Sequence, residues 1–159
     1  MSYLRDVHRS SHILGESPSR GLLPLAVVGL LLLASCGFVI GLDVGLSLGW
    51  VVLALGIAIV AGFLGAGLVP TIGSLWLVGL WGFVFPPLVG YLTGSWAGTT
   101  RYNHPRVLGY GYETARAELV GGMEYGIELG LLFAFVFGLV GYATGMVIDW
   151  LLTRMNNSR

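Results

Sequence analysis

Apolar residues are gathered into four long runs, with polar residues confined to the gaps between them. Gly21–Gly41 holds no charge, nor does Leu46–Val69. Ile72–Thr93 is the third run, interrupted in its middle by Pro86-Pro87. The fourth is centred on Leu129–Ile148 and starts earlier, because Glu113–Gly122 has helix-forming composition. A helix rises 1.5 Å per residue, so about 20 apolar residues cross a 30 Å hydrocarbon core. Membrane strands run about 10 residues and alternate apolar with polar, whereas these runs are apolar all round. The pattern predicts an all-α integral membrane protein of four transmembrane helices, spanning about 21–41, 46–69, 72–93 and 122–153.

Pro24 falls in the first turn of its run, where a missing N–H costs little. Pro86-Pro87 falls mid-run and predicts a kink or break. The polar stretches complete the map: an N-terminal segment 1–20, either interfacial helix or disordered, a loop 95–112, and a tail 154–159.

One heptapeptide occurs twice. Leu88-Val89-Gly90-Tyr91-Leu92-Thr93-Gly94 returns as Leu139-Val140-Gly141-Tyr142-Ala143-Thr144-Gly145. Each copy is followed by a Thr-Arg-x-Asn exit, at Thr100–Asn103 and Thr153–Asn156. The repeat reads as the C-terminal portion of the third and fourth spans. Tyr91 and Tyr142 are then interface anchors, and Thr93 and Thr144 return their hydroxyls to the preceding turn.

Composition changes the picture little. The chain has 159 residues, 55% of them hydrophobic and 10% charged, against about 25% charged in soluble domains. Net charge is zero, which removes the electrostatic case for nucleic-acid binding. Every basic residue is Arg, a bias that points to a GC-rich prokaryotic genome. Cys36 stands alone, so an intrachain disulfide and a four-thiolate metal site are both excluded. Leu33-Ala34-Ser35-Cys36 resembles a prokaryotic lipoprotein cleavage box, but the residues after Cys36 stay apolar. The run therefore reads as a span rather than a leader.

Arginines near the run ends set the orientation. Four spans put Arg5, Arg9, Arg20, Arg154 and Arg159 on one side, and Arg101, Arg106 and Arg116 on the other. The N- and C-termini are then cytoplasmic in a multi-pass cell-membrane protein. A rival topology turns the chain back at Pro86-Pro87 and moves the long loop inside; the charge rule prefers it, and span length prefers four crossings.

Small residues at four-residue spacing are the clearest packing signal: Ala54, Ala58 and Gly62; Gly90 and Gly94; Gly122, Gly126 and Gly130; Gly141 and Gly145. In lipid, close backbone approach over such residues replaces the hydrophobic force. The stripes suit packing within one protomer, and also a homo-oligomer or another membrane subunit.

Candidate chemistry is sparse. Glu124 and Glu128 share one face of the fourth helix, opposite Gly122 and Gly126, with Asp149 near that face at the far end. With carbonyls released by Pro86 and Pro87 they would suit an ion or proton pathway. The plainer reading makes them interfacial, because 129–148 already spans. No His-Glu-x-x-His, Gly-x-Ser-x-Gly or phosphate-binding Gly loop occurs. His8 and His12 are too few for a metal. The sequence thus predicts a non-enzymatic membrane protein without cofactor or metal, most simply a structural or accessory subunit partnered by lipid. A small transporter or channel is the alternative.

Overall fold

The computed structural model describes residues 11–15, 18–42, 44, 48–95 and 112–157. His8, the side chain of His12, Arg101, Arg106 and most of the polar loop lie outside the described residues. One helical turn, Ser11–Leu14, precedes four helices: α1 (Ser19–Val39), α2 (Leu48–Phe63), α3 (Leu68–Thr93) and α4 (Ala115–Asn156). No strand occurs among the described residues. Three of the helices, α1, α3 and α4, are long and apolar enough to cross a membrane. α2, with 16 residues, is shorter.

The ends of α1 and α2 explain where the apolar runs stop being helix. At the end of α1, Leu42 N–H donates to the Gly37 carbonyl and Gly41 N–H to that of Phe38. At the end of α2, Ala66 N–H donates to Ala61 and Gly65 N–H to Gly62. Each is a Schellman closure, which needs a left-handed residue after the helix. Gly41 (φ 107°) and Gly65 (φ 64°) supply it. So α2 stops at Phe63, although its apolar run continues to Val69. Pro70 then lies in the first turn of α3, where its missing N–H costs little.

α3 runs unbroken through Pro86 and Pro87 to Thr93. The expected break is absent, and the chain does not turn back there. Both prolines are buried. α4 is longer than expected, at 42 residues or about 63 Å. Thr114 starts it by accepting a hydrogen bond from Ala117 N–H at 3.1 Å.

Contacts give the directions. Ser35 meets Trp81 and Phe38 meets Phe85, so α1 and α3 run parallel. The positions of Gly126, Gly130 and Gly138 on α4 face Leu80, Gly79 and Ile72 of α3, so these two are antiparallel. Gly141 faces Ala58 and Gly145 faces Ile59, so α2 and α4 are parallel. The helices therefore alternate in direction along the chain.

The inner edge of α4 is a line of small residues: Gly122, Gly126, Gly130, Ala134, Gly138, Gly141 and Gly145, all buried. Each four-residue step turns about 40° past a full circle. The line therefore winds around α4 and passes from α3 to α2. A Cβ at Gly122 would collide with the Phe83 carbonyl, and one at Gly145 with the Ile59 carbonyl. Across the joint, a Cβ at Gly62 would meet the Tyr142 carbonyl.

One aromatic residue read as an interface anchor lies inside the bundle instead, and two tryptophans are half-buried against neighbouring helices. Tyr142 is buried beside Ala61 and Ala66. Trp76 donates its indole N–H to the Gly126 carbonyl at 3.2 Å. Trp50 packs on Trp81 with ring centroids 4.9 Å apart and the planes tilted by 38°.

Candidate functional site

The first turns of α4 gather most of the polar chemistry described. Glu118 is only 2% exposed. It sits in the first turn, where the unpaired N–H groups and helix dipole favour a carboxylate. One turn further, Gly122 lies against α3 at Phe83 and Pro87. Proline has no N–H, so Pro87 cannot give the Phe83 carbonyl its helical hydrogen bond. That carbonyl is the atom pressed toward Gly122, and glycine is what leaves it room. The prolines thus shape a helix contact here.

On the neighbouring face, the ring of Tyr112 folds back over Gly121. Tyr112, Arg116, Gly121, Glu124 and Tyr125 line an open groove of about 500 Å³. The phenol of Tyr112 is held above its ordinary value, first by burial and then by Tyr125, Glu118 and Glu124 nearby.

Glu124 lies in this groove and is exposed; Glu128, one turn on, is exposed as well. Both project from the side of α4 opposite Gly126 and Gly130, away from α3. They are therefore not brought to Pro86 and Pro87. Asp149 is exposed and lies 25 residues beyond Glu124 on the same helix (149 − 124), about 37 Å away. Among the described residues no group of three or more His, Cys, Asp or Glu could hold a metal ion. The Cys36 thiol is free and exposed.

Of the packing residues read from the sequence, Ala54, Ala58, Gly62, Gly90, Gly122, Gly126, Gly130, Gly141 and Gly145 are buried. Gly94 is exposed and caps α3 in the left-handed conformation.

Sequence reasoning passed over Glu118 and Tyr112. The signal for Glu118 was present: it stands four residues before Gly122, in step with Gly126 and Gly130. Tyr112 had no comparable signal, because its place depends on the chain folding back before Thr114. No protein family matches this chain, and neither does any curated protein or solved structure.

Proposed function

We propose that this is a multi-pass membrane protein with four alternating crossings, whose role is structural: a non-catalytic accessory subunit that works through helix packing. The observation that carries this reading is the glycine line of α4, against which α2 and α3 both pack at backbone distance. Such contact is what holds helices together where lipid removes the hydrophobic drive.

The outer surface supports the membrane placement. Leu25, Leu32 and Leu33 of α1 and Leu132, Phe135 and Val140 of α4 are exposed large apolar side chains. Soluble monomers rarely expose continuous apolar patches beyond a few hundred Å². One edge of the hydrocarbon layer falls at the Leu64–Gly67 turn, with Arg20 at the start of α1 nearby. The opposite edge falls where α1 ends, beside Phe85. From Ala66 to Phe85 is 19 residues (85 − 66), about 29 Å along a helix, close to the thickness of the core.

In this placement Asp149, Arg154 and Glu118 lie outside the layer. Glu124 is level with its edge, since Tyr125 meets Phe83. Glu128 is one turn inside. A pathway through Glu124 and Glu128 has less support, because both carboxylates face outward.

The bilayer is the first partner of such a surface, and a second copy or another membrane subunit is the next. The test of topology is cysteine labelling. Arg101→Cys and Arg154→Cys, each in a Cys36→Ser background, are treated with an impermeant maleimide from one side. Four crossings label the two positions from opposite sides; labelling of both from one side would overturn that topology. With the N- and C-termini cytoplasmic, position 154 is the one protected in intact cells.

A further inference from the structure

The helices do not end at one level. Trp50, at the start of α2, packs against Trp81, while α3 continues to Thr93, 12 residues further (93 − 81) or about 18 Å. Below this step lies a cavity of about 470 Å³ between α2, α3 and α4. Its floor is the contact of Gly79 with Gly130, where a Cβ on Gly79 would come within 2.9 Å of the Gly130 Cα. Trp50, Val51, Phe83 and Phe133 form its walls.

The lining chemistry restricts the occupant. Among the lining residues the one polar side-chain atom is the indole nitrogen of Trp50. It is already used, donating to the Val44 carbonyl at 3.2 Å. Nothing in the wall would hold a headgroup, a charged ligand or a water, which needs two or more polar partners. A dry void of this size forfeits dispersion contacts along its whole lining. A volume of about 470 Å³ is roughly what one turn of an α-helix displaces, about 10–12 Å across and 5.4 Å high, so no helix could seat there over any length. A single flexible hydrocarbon chain is the occupant whose width and chemistry both fit.

We propose that this cavity holds one acyl chain of a membrane lipid, entering from the leaflet on the side of the α1–α2 turn. The inference rests on the membrane reading above. The chain completes the packing that α2 is too short to supply.

The test uses the full chain in liposomes of phosphatidylcholine doped with a phosphatidylcholine that carries a diazirine midway along one acyl chain. After illumination, adducts are mapped by mass spectrometry. Leu132 and Val136, exposed on the outer side of α4, report ordinary lipid contact. The expected result is labelling of Val51, Phe83 and Phe133 several-fold above that of Leu132, resisting dilution with unlabelled lipid. Val51→Phe, which fills the cavity, should bring it down while Leu132 labels as before; Leu129→Phe serves the same end from the opposite wall. Cavity labelling no higher than Leu132, or unchanged by both filling variants, would overturn the proposal. So would labelled Leu132 with an unlabelled cavity, the sign that protein covers the mouth. Labelling nowhere on the chain would overturn the membrane reading itself, and this proposal with it.

Discussion

Trp81 of α3 donates its indole N–H to the hydroxyl of Ser35 on α1 at 2.7 Å, and Ser35 in turn donates to the Leu31 carbonyl at 2.7 Å. This is a polar tie between α1 and α3, helices also joined by apolar contacts such as Val27 and Leu31 on Val78. Interhelical hydrogen bonds of this kind contribute about 0.6 kcal/mol on average in a bilayer, and up to about 1.7. Ser35→Ala should destabilise the protein by that amount. In a double-mutant cycle with Trp81→Phe, unfolding in mixed micelles should show a shared loss. Strict additivity would show the bond to be inert.

The glycines divide into those with room for a methyl group and those without. Gly145→Ala places its Cβ on the Ile59 carbonyl, and Gly62→Ala places one on that of Tyr142. Each should cost about 1–3 kcal/mol, the usual penalty for overfilling a packed interior. Gly56→Ala meets nothing within 4 Å. It should be neutral or gain up to about 1 kcal/mol from helix propensity. Thermal unfolding of the three variants side by side measures the contrast. If all three behaved alike, the line on α4 would not be a packing device.

The carboxylates should separate in the same manner. Glu118→Ala removes a buried polar side chain and should cost about 1–3 kcal/mol, the usual penalty for breaking a buried polar contact. Glu128→Gln, on the outer face, should leave stability unchanged or slightly raised, since in the proposed placement it removes an ionisable group one turn inside the layer. Liposome flux assays complete the test. A pH-dependent flux abolished by Glu128→Gln without loss of fold would restore the transport reading.

Tyr112 predicts an alkaline transition outside the membrane. Its phenol is raised by burial and by neighbouring carboxylates, so folding favours the neutral form. The contribution of its contact with Gly121 is fully present below the ordinary tyrosine value of about 10, and is lost as pH rises through the higher folded-state value. Phenolate absorbance should therefore lag that of a free tyrosine. Amide exchange at the start of α4 should accelerate over the same pH range, and Tyr112→Phe should remove that acceleration.

The repeated heptapeptide shows how far the sequence could be read. Its two copies read as the C-terminal portions of two helices, and the first closes its helix: Gly94 caps α3 with φ 67°. The second lies inside α4, which runs on to Asn156. Thr93 and Thr144 do behave alike, donating to Val89 at 2.7 Å and to Val140 at 2.8 Å. Those bonds are local, and local chemistry is what a short motif encodes. Tyr91 and Tyr142 differ because their surroundings come from other helices: Tyr91 is 48% exposed and Tyr142 is 4% exposed. The apolar runs were legible because burial in any apolar phase needs them. The end of α2 was legible only in hindsight, since Gly65 is one glycine among 26.

The backbone-to-backbone contacts along α4 also fix how it can move. Sliding α4 by one residue would rotate it by about 100° and present large side chains such as Tyr125, Leu129 or Phe137 where glycine now fits. Small axial adjustments are therefore blocked on both the α2 and α3 sides at once. What stays open is motion of α4 as a stiff rod, pivoting about its glycine line. Its final turns, with Trp150 under Arg154, stand beyond the last of those contacts at Gly145. A push on those turns would thus be felt at Glu118, some 31 residues away (149 − 118), at the other end of the helix.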